Sequence, residues 1–225
     1  MAPGPHVFGD GRLGVWFIWH SVGFTDKLKH RLPLVKALGV TDAFLPRQAS
    51  LSDKKLVQSA DLFAALYETP PAGKAAQQYA ALAVSDTEWL KMGALELNIE
   101  GIADAELAPF IRDVHAAIRA TKPNLRLRIN VVPRKGAYLP SDLFVSDPQL
   151  YLIVQSFLGN MDRRVAEDEL VRDAVDHGVP AAKVSVMYGA NISPGNGRPR
   201  VPSLPEVRYR GSIFSDDLLA DGGYI

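Results

Sequence analysis

The 225-residue chain is long enough for one large domain or two small ones, and a hydrophobic content of 47% suffices for a packed core. Basic and acidic side chains number 25 each, so no net charge draws the protein towards nucleic acid or an anionic membrane. The chain contains no cysteine, which excludes disulfides, thiolate metal sites and thiol nucleophiles. The composition therefore predicts a folded protein with a neutral ligand.

The N-terminal residues 1–12 contain proline and glycine where a signal peptide needs an apolar segment. We interpret them as an N-terminal extension without a secretion signal. No run of about 18 apolar residues occurs, so no membrane segment is predicted. The glycines of 195–200 lie in a proline-rich loop and do not join a strand to a helix, so no nucleotide cofactor is expected.

Short β-rich runs alternate with helical patterns along the chain. The predicted strands are 13–20, 42–47, 62–68, 94–100, 125–132, 150–157, 183–190 and 211–215. The predicted helices cover 25–40, with Thr25 as N-cap, then a segment opening at Ser52 or Asp53, then about 73–91, 104–124 and 162–178. A short helical turn is expected between the fifth and sixth strands.

Eight strand-then-helix units without a linker predict an α/β fold, a single small (β/α)8 TIM barrel spanning 1–225 with a shortened last helix. Residues 193–207 form a Pro/Gly-rich loop in this scheme. A doubly wound open sheet is the competing architecture, but no fingerprint loop marks a ligand crevice at a strand-order reversal. No period suggests a solenoid.

The fourth strand, ALELNIE, alternates strictly between apolar and polar residues. In a closed barrel the helices cover one face of each strand, which must be apolar, so the polar residues turn inward. The prediction sends Glu96, Asn98 and Glu100 inward, rising by about 6.6 Å for each pair of residues. Glu100 then lies at the C-terminal mouth, where barrel enzymes carry out their chemistry.

The fifth strand alternates in the same way and brings Arg126, Arg128 and Asn130 beside these residues. A buried carboxylate without a partner would cost several kcal/mol. Glu96 is therefore interpreted as half of a structural ion pair with Arg126 or Arg128.

Other strand ends add aromatic, amide and carboxylate groups to the same mouth. Aromatic faces stack on sugar rings, while amides and carboxylates bind hydroxyl groups, so the mouth suits a carbohydrate. Histidines are too scattered for a metal site. The predicted substrate-binding residues are Trp19, His20, Tyr67, Glu68, Asn130, Gln155, Tyr188 and Asp216.

The small barrel and the fourth-strand segment LELNIEG resemble glycoside-hydrolase-like TIM barrels, including those in tail-associated proteins of phages that infect actinobacteria. Segment 96–100 is similar to the D-x-D-x-E strand of chitinase-like hydrolases, and Asn98 with Glu100 is similar to the N-x-E pair of endo-β-N-acetylglucosaminidases. The resemblance implies that Glu100 is the general acid and that Asn98 orients the substrate's own N-acetyl group as internal nucleophile.

Three departures from the family pattern bear on the mechanism. Chitinases have Asp where this chain has Asn98, and the tryptophan expected on the last strand is absent from GSIFSDD. Tyr188 and Asn191 stand where retaining enzymes with a protein nucleophile place the second carboxylate. Substrate assistance is then one route, and an inverting pair with Glu68 or Asp216, at about 6.5–9.5 Å, is the other.

Two functions are consistent with these patterns. The first is a glycosidase acting on an N-acetylhexosamine polymer such as cell-wall peptidoglycan. The second is a non-catalytic barrel that recognises glycan or serves as a structural part of a larger assembly such as a phage tail, because fold does not fix function. Neither needs a cofactor, and either suits an intracellular or a virion-associated location.

Overall fold

The computed structural model describes residues 14–17, 24–37, 40–46, 48–68, 78, 80–81, 84–85, 94–99, 102–132, 135–155, 167–188 and 213–215. The strands are β1 (Gly14–Trp16), β2 (Asp42–Pro46), β3 (Phe63–Glu68), β4 (Ala94–Ile99), β5 (Arg126–Val131), β6 (Leu150–Gln155), β7 (Val184–Tyr188) and β8 (Ile213–Ser215). The helices are α1 (Phe24–Ala37), α2 (Leu51–Ser59), α3 (Asp104–Thr121), α4 (Ser141–Ser146) and α5 (Glu167–Asp176). Residues 78, 80–81 and 84–85 are also helical, and short 3₁₀ turns occupy Gly136–Tyr138 and Ala181–Lys183.

The strands form one parallel sheet whose order follows the sequence. Each strand pairs with the next, and β8 pairs in parallel with β1 through Val15 and Phe214, which closes the sheet into a barrel. The α/β class and the parallel barrel predicted from the sequence are therefore present. The doubly wound open sheet is excluded, because an open sheet has no pairing between its first and last strands.

The strand residues divide into two layers by alternation. One set, which includes Leu95, Leu97 and Ile99 of β4, belongs to the main hydrophobic core shared with the helices. The intervening residues belong to the barrel interior, and the buried apolar side chains among them, Phe44, Ala94 and Ile153, lie outside that core cluster. The alternation predicted for β4 and β5 is thus the one observed.

The outer core is built where helices pack on the strands. The helix α3 contributes Leu107, Ile111, Val114 and Ile118, spaced three or four residues apart and buried along one face. This spacing confirms the amphipathic helix predicted for 104–124. Its bounds differ from the prediction only at the C-terminal end, which reaches Thr121 rather than residue 124.

Two predicted helix starts differ from the observed ones. Thr25 lies inside α1, which begins at Phe24, and its hydroxyl donates to Asp53 Oδ1 at 2.8 Å instead of capping its own helix. The helix α2 begins at Leu51 with Ser50 as its N-cap, one or two residues before the predicted start. The serine was missed because Ser50, Ser52 and Asp53 all have good capping side chains.

Several predicted features lie outside the described residues. They are the N-terminal extension 1–12, the Pro/Gly-rich loop 193–207 and the shortened last helix. Among the helices that the structure does describe, none has the length and apolar character required to cross a membrane.

Candidate functional site in the barrel interior

The barrel interior is lined by polar side chains from neighbouring strands. These residues are almost fully buried although each carries hydrogen-bonding or charged atoms: Asp42, Glu96, Asn98, Arg128, Asn130, Gln155 and Ser185. Buried polar groups persist in proteins where they are hydrogen-bonded or paired. The interior therefore departs from the branched aliphatic filling that is usual in such barrels.

At the level where the strands begin, an acid of β2 meets a base of β5. Arg126 Nη1 lies 3.8 Å from Asp42 Oδ1, and its guanidinium lies 5.6 Å from the centre of the Phe63 ring. Asp42 also accepts a hydrogen bond from the Thr41 hydroxyl at 2.7 Å. These contacts pair the charges at the lower end of the barrel, so we interpret Arg126 as a structural residue of the interior.

One level higher, Glu96 lies on β4 between Tyr67 and Arg128 in the strand register. Asn130 Nδ2 donates to Glu96 Oε1 at 2.9 Å, and both residues have no exposed surface. The Arg128 guanidinium lies 4.8 Å from the centre of the Phe44 ring, within the range of a cation–π contact. Of the two arginines predicted to pair with Glu96, Arg128 is its register neighbour, and Arg126 lies within ion-pair distance of Asp42.

The upper level consists of amides. Gln155 Nε2 of β6 donates to Asn98 Oδ1 of β4 at 2.8 Å, reaching past the intervening strand β5. Asn98 retains 8% exposure, whereas Gln155 retains 1%. Asn98 is thus the more exposed side chain of this pair.

Asn98, Asn130 and Gln155 are the predicted site residues whose side chains the structure describes, and all three line the same part of the interior. Tyr67, Glu68 and Tyr188 lie at strand ends as predicted. Tyr67 is in register with Glu96, which is an interior residue. Glu68 is in register with Leu97, which belongs to the main hydrophobic core, and Tyr188 is in register with Phe214. Trp19, His20, Glu100 and Asp216 fall outside the described residues, and their roles remain predictions.

The sequence analysis missed two interior residues, Asp42 and Ser185. Each sits in a strand whose other interior positions are apolar, so neither strand shows the alternation that identified β4 and β5. A usable signal exists for Asp42, because it is a charged residue at the start of a fully buried strand. Such a residue in a barrel strand must find a partner inside.

The formal charges of Asp42, Glu96, Arg126 and Arg128 in the interior sum to zero. An interior without net charge, with amides at its upper level, can form hydrogen bonds to the hydroxyl and amide groups of an uncharged ligand. Within the segments that the structure describes, no group of three or more His, Asp or Glu side chains is arranged to hold a metal ion.

A comparison with protein-family models gives no match, and a comparison with curated protein sequences gives none either. Solved structures with the same fold are found instead. The spore cortex-lytic enzyme SleL of Bacillus cereus superposes with a TM-score of 0.59 at 10% identity, over 87% of this chain and 56% of that one. A family GH18 chitinase of Cycas revoluta gives 0.55 at 10% identity, over 80% and 68%.

A D-allulose 3-epimerase of Methylomonas sp. gives a TM-score of 0.57 at 16% identity, over 93% of this chain and 86% of that one. The chain spans little more than half the length of the SleL structure. At these identities the similarity shows the fold alone, since proteins of unlike activity resemble the chain equally well. The comparisons therefore establish the fold, an α/β barrel that the chain shares with hydrolases and with an epimerase.

Proposed function

We propose that the protein is a glycoside-hydrolase-like barrel that binds or cleaves an N-acetylhexosamine-containing glycan such as cell-wall peptidoglycan. The observation that carries the proposal is the buried amide pair at the end of β4, in which Gln155 holds Asn98 two residues before Glu100. The same fold in a cortex-lytic enzyme and in chitinases supports the carbohydrate class of ligand.

In the catalytic form of the proposal, Glu100 acts as general acid and Asn98 orients the substrate. The acetamide oxygen of the sugar bonds to C1 while the C1–oxygen bond to the leaving sugar breaks, and Glu100 gives its proton to the departing oxygen. Water then attacks C1, Glu100 takes a proton from it, and the acetamide is restored. This route requires no second carboxylate, which agrees with the presence of Tyr188 and Asn191 where retaining enzymes with a protein nucleophile place one.

The catalytic proposal is tested by mass spectrometry of soluble products from purified peptidoglycan and chitooligosaccharides. The wild-type protein should release fragments with new reducing ends, and Glu100→Gln should lower the rate by about 100-fold or more. Glu106→Gln is the matched control, because Glu106 is an exposed glutamate in the first turn of α3 and should leave the rate unchanged. Equal product formation by Glu100→Gln and wild type would remove Glu100 from the mechanism.

One observation favours the alternative, a barrel that recognises glycan without cleaving it. Among the described interior residues, the side chains above the level of Glu96 on β4, β5 and β6 are amides or apolar. The charged side chains at or below that level already contact one another, an aromatic ring or the Asn130 amide. Amides bind sugars but do not exchange protons with them. Glycan binding without products, by wild type and Glu100→Gln alike, would favour this alternative. A place in a phage tail remains a prediction from the sequence resemblance.

A further inference from the structure

We propose that Trp16, at the end of β1, is a substrate-binding residue whose indole supplies the apolar surface on which a sugar ring of the glycan stacks. The inference rests on the proposed function, and it adds to the site a residue that the alternation of β4 and β5 does not identify. It follows from the position of Trp16 in the barrel, which is fixed by the register of β1 with its two neighbouring strands.

Trp16 occupies an interior-facing position of its strand. Its neighbours in sequence, Val15 and Phe17, both belong to the main hydrophobic core that the strands share with the helices. Successive residues of a strand face opposite sides of the sheet, so position 16 lies on the interior face. The register agrees, because Trp16 pairs with Phe44 of β2, which is buried outside that core, and with Ser215 of β8.

Position 16 is also the last interior-facing position of β1 before the mouth. In a (β/α)8 barrel such positions make up the uppermost interior layers, each layer supplied by alternate strands. The corresponding positions of β4, β5 and β6 carry the amides Asn98, Asn130 and Gln155, whereas those of β1, β2 and β3 carry Trp16, Pro46 and Tyr67. In the ring of eight strands β1 lies opposite β5, so Trp16 is placed across the barrel axis from the amides.

This division of the mouth matches the chemistry of a sugar ring. A pyranose has apolar C–H faces and a polar edge of hydroxyl or acetamido groups, so it needs an aromatic surface on one side and amides on another. On the two strands that adjoin β1, the last interior-facing positions carry Pro46 and Ser215, whose side chains are much smaller than an indole. Trp16 is therefore the residue of this sector that offers a flat apolar face of the size of a sugar.

The test measures the dissociation constant of chitotetraose by calorimetry, in a Glu100→Gln parent that prevents cleavage. Trp16→Phe keeps an aromatic face and should weaken binding by about threefold, whereas Trp16→Leu keeps only apolar volume and should weaken it by about tenfold. Phe144→Leu is the matched control, because it removes a fully buried aromatic ring from the outer core on α4. It should lower the melting temperature and leave the dissociation constant unchanged.

The fluorescence of tryptophan provides a second readout. Chitotetraose should change the emission of the parent protein, since stacking alters the surroundings of the indole directly. The change should be smaller by at least half in Trp16→Phe. A residue that only supports the fold would carry no such ligand-dependent signal, so this readout keeps the test valid if Trp16→Leu does not fold.

The possible results distinguish this inference from the proposed function. An unchanged dissociation constant in the folded Trp16 variants, or the full fluorescence change in Trp16→Phe, would overturn the role of Trp16 and leave the proposed function standing. An equal loss of affinity in Phe144→Leu would also overturn it, because that result indicates a general weakening of the fold. Failure of the parent to bind chitotetraose would overturn the proposed function, and the inference with it.

Discussion

Asp147 directly follows α4, in the loop that leads into β6, and its side chain contacts α3. Its Oδ2 atom is 2.7 Å from His115 Nε2 and 2.6 Å from Arg119 Nε, and its backbone carbonyl accepts from Lys183 Nζ at 3.1 Å. The carboxylate is 11% exposed. Burial raises its pKa, but the hydrogen bonds from His115 and Arg119 outweigh burial and hold the pKa below its ordinary value.

Replacing this carboxylate should destabilise the fold. In Asp147→Asn the amide can no longer neutralise Arg119, which is itself only 16% exposed. We expect the free energy of unfolding at pH 7 to fall by about 2 kcal/mol, measured by urea denaturation. Asp142→Asn, which breaks the exposed pair with Arg112, is the matched control and should cost much less. A similar loss in both variants would contradict this account of Asp147.

The lowered pKa also fixes the pH dependence of this contribution. A group whose pKa is lower in the folded than in the unfolded state stabilises the fold above its unfolded pKa. That stability disappears as the pH falls through the folded value. The difference between wild type and Asp147→Asn should therefore be constant near neutrality and shrink below about pH 4. A difference that grew on acidification would contradict the sign.

The contacts of Asp147 show a limit of sequence reasoning at this scale. Its side-chain partners lie 28 and 32 residues away, and the SDP sequence around it looks like an ordinary turn. Asn98 and Asn130 were predicted because strand alternation fixes the face on which they lie. Alternation does not give the partner of each amide, so the Asn98–Gln155 contact required the three-dimensional arrangement.

At the scale of elements, the start of α2 is fixed by a capping box that also binds α1. The Ser50 side chain accepts from the backbone N–H of Asp53, and Asp53 accepts from the backbone N–H of Ser50 at 2.8 Å. The second carboxylate oxygen accepts from the Thr25 hydroxyl of α1 at 2.8 Å. Each helix follows a parallel strand, so both begin at the same end of the barrel. The hydrogen bond from Thr25 to Asp53 therefore links the starts of two neighbouring helices.

The capping box predicts an order of stabilities. Ser50→Ala should lower the free energy of unfolding by about 1 kcal/mol, because one capping hydrogen bond is lost. Asp53→Ala should cost more, since it also removes the acceptor for Thr25. Ser59→Ala, an exposed position at the other end of α2, should change stability little. Thermal unfolding of the three variants checks the order, and a larger loss for Ser59→Ala would overturn it.

The contact between the 3₁₀ turn after β5 and the helix α5 leaves no room for a side chain at Gly136. This glycine begins the 3₁₀ turn after β5, and its backbone N–H donates to Asp173 Oδ2 of α5 at 2.8 Å. An added Cβ would lie 2.3 Å from the Asp173 carbonyl oxygen, so the turn and the helix would have to separate.

Gly136→Ala should accordingly lower the free energy of unfolding by about 1–3 kcal/mol, the usual cost of overpacking. The neighbouring substitution Ala137→Gly, at an exposed position of the same turn, controls for general changes in the loop. Urea denaturation with near-ultraviolet circular dichroism would measure both. Full stability of Gly136→Ala would show that the turn and α5 do not pack in this way.

At the scale of the whole molecule, the succession of eight strand-then-helix units was enough to predict a parallel α/β barrel. Helices on the outside require one apolar face on every strand, so a strand such as β4 can carry charges only inside. The segment GSIFS is too short to predict its pairing partner by itself. The pairing of β8 with β1 followed only from the count of eight strand-then-helix units, which predicts a closed barrel. Function is less determined, since the same fold occurs in hydrolases and epimerases.

The measurement that tests the central claim most directly is a crystal structure of Glu100→Gln with chitotetraose bound. The account predicts a sugar ring in the barrel mouth, with its acetamido group within hydrogen-bonding distance of Asn98 and with residue 100 beside a glycosidic oxygen. An oligosaccharide bound elsewhere on the protein, or a mouth without sugar in crystals soaked at saturating concentration, would contradict it.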